Sequence, residues 1–465
     1  MKFGLTFSEL LTDSIRIWKA RTVDQCIFSL ALPIQEIDPL IQLADLAKNE
    51  HFRFLWDVAP QICIAAAGQC QQLSLLGPRR YELSQQFTNE VFGQLLDASN
   101  EAPEYALPKI LYSFSFFDHN KQEIKGASDE AFSLQAVLPK WQLTHQKGAS
   151  WLRINCSINN NSGVRNIVEE LWAMREKLTK YSSSEAFVSS QGIYVQSVSM
   201  GWKEAYRGAL ARGIELVKSG ELHKLVLASK QSIVLDSLID PLLILFRLRS
   251  QQSGSCRFLW QCGDEESFFG ASPERLISFH NGQLRTDALA GTAIKDDDGK
   301  KLLSSIKDLR EHELVVNSLI KQLNLCGLRP YKTQKPQLLR QGHLMHLHTP
   351  IFASARGHSP LPLVSALHPT PAVAGIPLQK AKNWIQILES FDRGNYGAPL
   401  GWIDSNNNAD FRVAIRCAYL RGQNLDLIAG AGLVDGSVLE LELQEVELKL
   451  RVLLDQFNLD KVSRS

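Results

Sequence analysis

The sequence predicts an α+β protein whose sheets are largely antiparallel. Short runs with strand-like alternation recur along the chain and are mixed with segments of helical period. Several strand-like runs follow one another as hairpin-like pairs, as in FLWQC and SFFGAS. Hairpins join antiparallel strands, so this order of elements favours an α+β fold.

The N-terminal region, residues 1–190, combines strand-like runs with a long helical segment. The strand-like runs are QICIAAAG, ILYSFSFFD and SWLRINCSI, and the helical segment is NIVEELWAMREKLTKY. Residues 181–192 are the best candidate for a linker, because they are rich in serine and lack apolar periodicity. No nucleotide-binding motif occurs in this region.

After the candidate linker, a predicted helix continues through Val217 and ends at Gly220. A strand, LVL, follows directly after Lys224. Further helices are predicted for DPLLILFRLRSQ, KKLLSSIKDLREHELVVNSLIKQLN and LELELQEVELKLRVLLDQF, and further strands for FRVAIRCAYL and LDLIAGAGLV.

Charge and hydropathy limit the function classes. The 465 residues include 50 Lys+Arg and 49 Asp+Glu, and this near-neutral balance argues against a chain that coats nucleic acid or an anionic membrane. Hydrophobic residues make up 45%, enough for a substantial core. No apolar run approaches the roughly 20 residues that span a bilayer. The first residues include acidic side chains and no signal-type apolar core, which predicts a cytoplasmic protein.

The cysteines and histidines do not predict a transition-metal site. None of the eight cysteines forms a CxxC pair, and most lie in apolar strings, which is typical of buried reduced thiols. In HLMHLHTP, strand alternation places His346 and His348 on one face, but neither a cysteine nor a third ligand is nearby.

The most informative segment is FFGASPERLISFHNGQLRTDALAGTA, residues 268–293. It places Ser-Pro-Glu-Arg between two strand-like runs and ends in an Ala-Gly-Thr turn. Glu274 directly follows a proline, at a point where a strand must bend. We therefore expect its carboxylate to be held at a fixed angle rather than left in solvent.

Two acidic pairs lie on predicted helices. Asp308 and Glu311 are three residues apart, as are Glu442 and Glu445, so each pair shares a helix face. If the two faces met across a cleft, their oxygens would suit Mg²⁺. Taken alone, the residue pattern favours the simpler interpretation that both faces are solvated.

Three further positions are candidates for chemistry. Lys224 begins an apolar strand, where it either extends to solvent or is desolvated and acts as a base. Arg416 lies inside the predicted strand FRVAIRCAYL, and a buried arginine needs an anionic partner from the protein or from a ligand. Gly430 and Gly432 follow a predicted strand, so a ligand carboxylate could approach their backbone closely.

Ten motifs in one consistent order resemble the catalytic domain of chorismate-utilising enzymes, a family that includes anthranilate, aminodeoxychorismate, salicylate and isochorismate synthases. They are HKLVLAS, ASPERL, ALAGTA, REHELVV, HLHTP, LHPTPAVAGIP, FDRGNYGAPLGWID, VAIRCAYL, AGAGLV and ELQEVELK. The resemblance covers the region 195–455 and implies a composite fold of two stacked, mainly antiparallel sheets with helices outside. Residues 1–190 are expected to complete that fold.

The resemblance also implies roles for individual residues. Glu311 and Glu445 would bind Mg²⁺ directly, with Asp308 and Glu442 behind them holding its water. The ion would bind the ring carboxylate of chorismate. The enolpyruvyl carboxylate would be bound by Arg416, Tyr396 and the Gly430 backbone, and the ring pocket would be lined by Gly291, Thr292, His346 and Lys449. Lys224 would be the base and Glu274 the acid.

Two positions distinguish among the members of this family. Lys224 stands where members that use water as the nucleophile have lysine and ammonia-using members have glutamine. Ala290 stands where aminodeoxychorismate synthases carry a lysine that attacks the ring. The resemblance therefore implies an isochorismate synthase, with salicylate synthase as the nearest alternative.

The implied enzyme is an isomerase of quinone or siderophore biosynthesis with chorismate as its small-molecule substrate. No nucleic acid, membrane or glutamine amidotransferase partner is expected. The main alternative from another class is a non-catalytic chorismate-binding subunit. That alternative predicts a missing base, acid or metal ligand, and the motifs lack none of them.

Overall fold

The computed structural model describes residues 6–21, 26–58, 60–99, 101–119, 132–158, 161–180, 192–199, 201–263, 266–294, 299–342 and 344–459. Nearly all of the predicted linker at 181–192 lies outside these residues. The helices are α1 Phe7–Lys19, α2 Pro39–Leu46, α3 Arg80–Gly93, α4 Asn161–Lys180, α5 Trp202–Lys218, α6 Pro241–Gln251, α7 Lys300–Ser304, α8 Ile306–Leu325, α9 Pro360–Leu367, α10 Leu378–Leu388 and α11 Leu439–Leu454.

The strands come singly or in short runs between these helices. They are β1 Cys26–Ile34, β2 Phe52–Asp57, β3 Cys63–Ala67, β4 Gln71–Leu75, β5 Leu95–Asp97, β6 Lys109–Phe114, β7 Leu134–Leu138, β8 Trp141–Gln146, β9 Ala149–Ile158, β10 Val195–Val198, β11 Lys224–Leu235, β12 Cys256–Cys262, β13 Glu266–Ser272, β14 Arg275–His280, β15 Gln283–Ile294, β16 Tyr331–Lys332, β17 Gln337–Gln341, β18 Leu344–Ser354, β19 Gly375–Ile376, β20 Pro399–Asp404, β21 Ala409–Val413, β22 Cys417–Arg421 and β23 Asn424–Val434.

The strands form two large sheets. One has thirteen strands in the order β10-β11-β23-β22-β13-β12-β2-β3-β8-β9-β1-β5, with β19 also paired to β11. The other has ten, in the order β16-β18-β15-β14-β21-β20-β6-β7-β4, with β17 also paired to β18. Among the described strand pairs of these sheets, only β1 with β5 is parallel. The prediction of an antiparallel α+β fold is confirmed.

Both sheets contain strands from the N-terminal and the C-terminal region. In the larger sheet β2 pairs with β12, and in the smaller sheet β6 pairs with β20. Side chains of the two sheets also share an apolar cluster, in which Leu111 and Leu400 of the smaller sheet join Trp56 and Phe258 of the larger one. Each sheet therefore joins the two regions. Whether they form separate domains, divided between residues 190 and 195, stays a prediction.

Two of the places where the chain crosses between the sheets are adjacent. One crossing leads from β13 to β14 through Ser272 to Arg275, and the other leads from β21 to β22 through Val413 to Cys417. The crossings contact each other, because the Ser272 hydroxyl donates to the Val413 carbonyl at 2.5 Å. The backbone N–H of Ala271 likewise donates to the Arg416 carbonyl at 3.1 Å. Glu274 and Arg416 both lie within these crossings.

Three local predictions were wrong. The long helix over KKLLSSIKDLREHELVVNSLIKQLN is divided at Ser305, whose extended backbone ends α7 and whose hydroxyl accepts the N–H of Asp308 at 3.2 Å. Arg416 does not lie inside a strand, since it occupies the break between β21 and β22 with φ of 51°. The expectation that Gly430 and Gly432 follow a strand was wrong, whereas the predicted strand LDLIAGAGLV is confirmed, because both glycines lie within β23.

No helix among the described residues is both long and apolar enough to cross a membrane.

Candidate active site

Lys224 is the first residue of β11 and is fully buried. Ile376 of β19 is its partner on one side and Val434 of β23 is its partner on the other. Its Nζ donates to Oε1 of Glu311 at 2.9 Å. The space beside this pair depends on Gly432, where a Cβ would lie 2.5 Å from Glu311 Oε1 and 3.1 Å from Lys224 Cε. A side chain at this position of β23 would displace one of the two charged groups.

Glu274 is buried between the sheets, and its backbone carbonyl accepts the N–H of Val413 at 3.0 Å. Burial raises the pKa of its carboxyl to about 7, although nearby Lys224 and Arg416 favour the ionised form. The Thr370 hydroxyl, 3.4 Å from Oε1, also favours the carboxylate. Near neutral pH this group therefore exists both as an acid and as its conjugate base.

Arg416 is buried beside His346 and has hydrogen-bonding capacity to spare. Its Nη2 donates to Nε2 of His346 at 2.6 Å, while its Nε and Nη1 have no hydrogen-bond partner. Because Nε2 accepts from an arginine, the imidazole must be neutral and carry its proton on Nδ1. Burial and the adjacent guanidinium both hold the pKa of His346 well below its usual value. Burial lowers the pKa of Arg416 to about 10.

The imidazole is oriented by the bulge in β15. Gly291 there has a φ of 75°, and the register with β18 shifts between Ala290 and Thr292. Nδ1 of His346 lies 3.2 Å from the Gly291 carbonyl and 3.2 Å from the Thr292 hydroxyl, so its proton can be donated to either oxygen. The left-handed backbone at Gly291 thus places two acceptors where they fix the tautomer.

Gly430 and Tyr396 adjoin the same space. A Cβ on Gly430 would lie 2.6 Å from the Leu227 carbonyl and 3.1 Å from the Tyr396 hydroxyl, so only glycine fits there. The Gly430 carbonyl accepts from Nζ of Lys449 at 2.8 Å. Burial raises the pKa of Tyr396 above its usual value, so its hydroxyl remains a hydrogen-bond donor.

Four carboxylates converge where α8 faces α11. Each of the three glutamates contacts a lysine: Glu311 with Lys224, Glu445 with Lys449 at 2.7 Å, and Glu442 with Lys307 at 2.6 Å. Burial and repulsion from Glu445 raise the pKa of Glu442. Burial also raises the pKa of Asp308, although the Ser305 contact and Lys307 oppose the rise. The acidic faces are therefore not simply solvated.

These oxygens are the donors that a hard divalent cation prefers. Lysines occupy three of the four carboxylates in this structure. Among the residues that the structure describes, no three His, Cys, Asp or Glu side chains lie close enough together to hold a metal ion.

The structure thus brings all thirteen sequence-predicted site residues into one region around the two crossings, β11, β15, β23, α8 and α11. Sequence reasoning missed Thr370, the partner of Glu274, and Lys307, the partner of Glu442. Thr370 lies within the quoted motif LHPTPAVAGIP, and Lys307 adjoins Asp308, but only the fold shows what they contact.

Comparison with known proteins gives consistent results. A family model described as "chorismate binding enzyme" matches residues 13–458. Isochorismate synthase EntC from Escherichia coli K12 is 34% identical over 301 residues, covering 63% of this chain and 77% of that protein. Isochorismate synthase MenF from Bacillus subtilis 168 is 28% identical over 457 residues, covering 94% of each chain.

Among solved structures, MenF from Escherichia coli, described as a menaquinone-specific isochorismate synthase, aligns with a TM-score of 0.74 and 24% identity. The alignment covers 96% of this chain and all of that chain. At this identity the alignment shows the shared fold, and it spans both predicted regions. Since the family match also extends from α1 to the end of α11, the chain belongs to the family of chorismate-binding enzymes.

Proposed function

We propose that this protein is an isochorismate synthase, an isomerase that converts chorismate to isochorismate. The observation that carries the proposal is that one buried region holds a lysine, Lys224, and a carboxyl with a pKa of about 7, Glu274. Exchange of a hydroxyl group needs a base to activate water and an acid to release the leaving group. Relatives similar over much of the chain are named isochorismate synthases.

In the proposed reaction, Lys224 accepts a proton from water as the water oxygen bonds to C2 of the ring. The ring double bonds shift, the C4–O bond breaks, and the leaving hydroxyl takes the proton of Glu274 and departs as water. Proton transfer from Lys224 back to Glu274 resets both groups. Lys224 must give up the proton that it donates to Glu311 in this structure before it can act as the base.

Arg416 is the proposed anchor for the enolpyruvyl carboxylate of the substrate. Its two unpaired nitrogens, Nε and Nη1, are buried, and a buried cation of this kind gains most from an anionic partner. The neutral His346 fixes the guanidinium from the other side without competing for the anion. The Tyr396 hydroxyl and the Gly430 backbone are proposed to complete this subsite, with Gly291, Thr292 and Lys449 lining the ring pocket.

Mg²⁺ is the proposed cofactor, and the residues fit it in the chemistry of their donors, because carboxylate oxygens are the ligands that it prefers. Oε2 of Glu442 is buried without a hydrogen-bond partner, and burial together with Glu445 disfavours its ionised form. A divalent cation would relieve this repulsion. Glu311 and Glu445 would hold the ion directly, with Asp308 and Glu442 behind them. When bound, the ion supplies positive charge for a carboxylate of the substrate.

The eight cysteines are all free, which supports the proposed location in a reducing compartment such as the cytoplasm. The proposed substrate is a small molecule, and the proposal involves neither nucleic acid nor a glutamine amidotransferase.

The function is tested by incubating the pure protein with chorismate and Mg²⁺ and separating the products by chromatography. We expect a new isomer of chorismate, approaching an equilibrium mixture because the two hydroxyl positions are chemically similar. A coupled lactate dehydrogenase assay reads pyruvate in the same reaction. Steady pyruvate release would replace this proposal with salicylate synthase, and unchanged chorismate would contradict both.

A further inference from the structure

Lys307 links the two helices that carry the acidic pairs, α8 and α11. It lies in the first turn of α8, and its Nζ reaches across to Oε1 of Glu442 on α11 at 2.6 Å. The lysine side chain is 27% exposed, whereas that of Glu442 is 1% exposed. The ammonium therefore approaches the buried carboxylate from the solvent side of the cluster.

Of the three lysines that contact the glutamates, Lys307 has no role in the proposed reaction. Lys224 is the proposed base, and Lys449 also donates to the Gly430 carbonyl in the ring pocket. The ammonium of Lys307 contacts Glu442 at 2.6 Å, and Glu442 lies one helical turn from Glu445 on α11. Its charge is therefore held by the same carboxylates that are proposed to surround a divalent cation.

We propose that Lys307 is a resident counter-cation that stabilises the carboxylate cluster when metal is absent and weakens the binding of Mg²⁺. This inference rests on the proposed Mg²⁺ requirement. With all groups ionised, the four carboxylates and three ammonium groups of the cluster carry a net charge of −1. Without Lys307 the charge is −2, so an entering divalent cation meets stronger attraction and one repulsive charge fewer.

The competing explanation is that Lys307 only holds α8 and α11 together and has no effect on metal binding. A second ion pair between the same parts of the molecule provides a control for this explanation. Arg310, one turn along α8, forms an ion pair of 2.9 Å with Asp435, which lies just before α11. Both side chains are about 60% exposed, so this pair connects the same elements on the outside. Loss of Arg310 removes a tether, whereas loss of Lys307 removes both a tether and a charge within the cluster.

The test compares Lys307→Met, Lys307→Arg and Arg310→Met with the unmodified protein. Thermal unfolding is followed at increasing Mg²⁺ concentration and constant ionic strength, and the apparent Kd is obtained from the rise in Tm. We expect Lys307→Met to unfold at a lower temperature without Mg²⁺ and to bind Mg²⁺ about tenfold more tightly. Lys307→Arg and Arg310→Met should keep an apparent Kd within about twofold of the unmodified protein.

An apparent Kd for Lys307→Met equal to or weaker than that of the unmodified protein would overturn the inference and leave the Mg²⁺ proposal standing. If Mg²⁺ does not raise the Tm of the unmodified protein at any concentration, the metal proposal itself fails. Should Lys307→Met not fold, Lys307→Gln provides the same loss of charge with a side chain that can still donate to Glu442. Circular dichroism confirms the folded state of each variant before titration.

Discussion

At the scale of single residues, the site depends on two buried groups, an acid and a lysine, whose protons are held differently. Burial raises the pKa of the Glu274 carboxyl to about 7, so a proton is available near neutrality. Lys224 is also fully buried, but a carboxylate 2.9 Å away stabilises its charge. Glu274 can therefore supply its proton directly, whereas Lys224 must pass on the proton that it donates to Glu311 before it can act as the base.

Removing either proton-transfer group should abolish most turnover. Lys224→Met and Glu274→Gln should each lower kcat by about 10²–10⁴, the usual contribution of general acid or base catalysis. Lys230→Met on the same strand is the control, because Lys230 pairs with Asp426 near the surface. Chorismate consumption is measured on samples whose unfolding curves show a folded state, and turnover near that of Lys230→Met would contradict the assignments.

The pH dependence of the reaction should reflect Glu274. The acid must be protonated, so kcat/KM should fall as pH rises through about 7. The Thr370 hydroxyl favours the carboxylate, so Thr370→Val should raise the pKa of Glu274 and move this decline to higher pH. The pH profiles of the two proteins test the assignment. A decline that stays in place or moves to lower pH would show that Thr370 does not tune this group.

Residue types and order were enough to propose a set of residues that the fold brings together, but not to predict what surrounds them. Glu274 was expected to be held at a bend, and the structure places it at a crossing between the sheets. Arg416 was placed inside a strand because its neighbours are apolar on both sides. That apolar character instead reflects a buried crossing, which depends on pairing between distant strands that local periodicity does not encode.

At the scale of elements, β23 can lie against the Lys224–Glu311 pair because it has a glycine, Gly432, at the point of contact. Gly432→Ala should lower kcat strongly, because the new Cβ would lie 2.5 Å from Glu311 Oε1 and must displace the Lys224–Glu311 pair. Gly208→Ala is the control, since Gly208 is exposed within α5 and has open space around a Cβ. Activity and Tm are measured for both proteins. Wild-type activity of Gly432→Ala would show that the pair adapts without consequence.

The division between α7 and α8 shows where sequence reasoning about elements fails. A continuous helical period runs through both helices, so one long helix was expected. Ser305 interrupts it because its hydroxyl caps the N–H of Asp308 and starts a new helix. The break is local, but the sequence signal is a single serine, whose capping role is visible only when its backbone is extended.

At the scale of the whole molecule, neither half of the chain completes a sheet alone. β12 would lose β2, and β20 would lose β6, if the N-terminal region were removed. A chain restricted to residues 195–459 should therefore expose unpaired strand edges and be recovered mainly as aggregate. Gel filtration and circular dichroism of this fragment provide the test. A monomeric, folded fragment would instead support an independent domain with the predicted boundary.

The order of the strands also has a consequence for synthesis of the chain. β6 cannot pair with β20 until β20 has been synthesised, and the partner of Ser113 is Leu400, roughly 290 residues later. At ~5–20 residues/s, the ribosome needs about 15 to 60 s to supply that partner. During this interval the apolar face of β6 is without its final neighbour, so newly made chains should depend on chaperones more than chains with mainly local pairing.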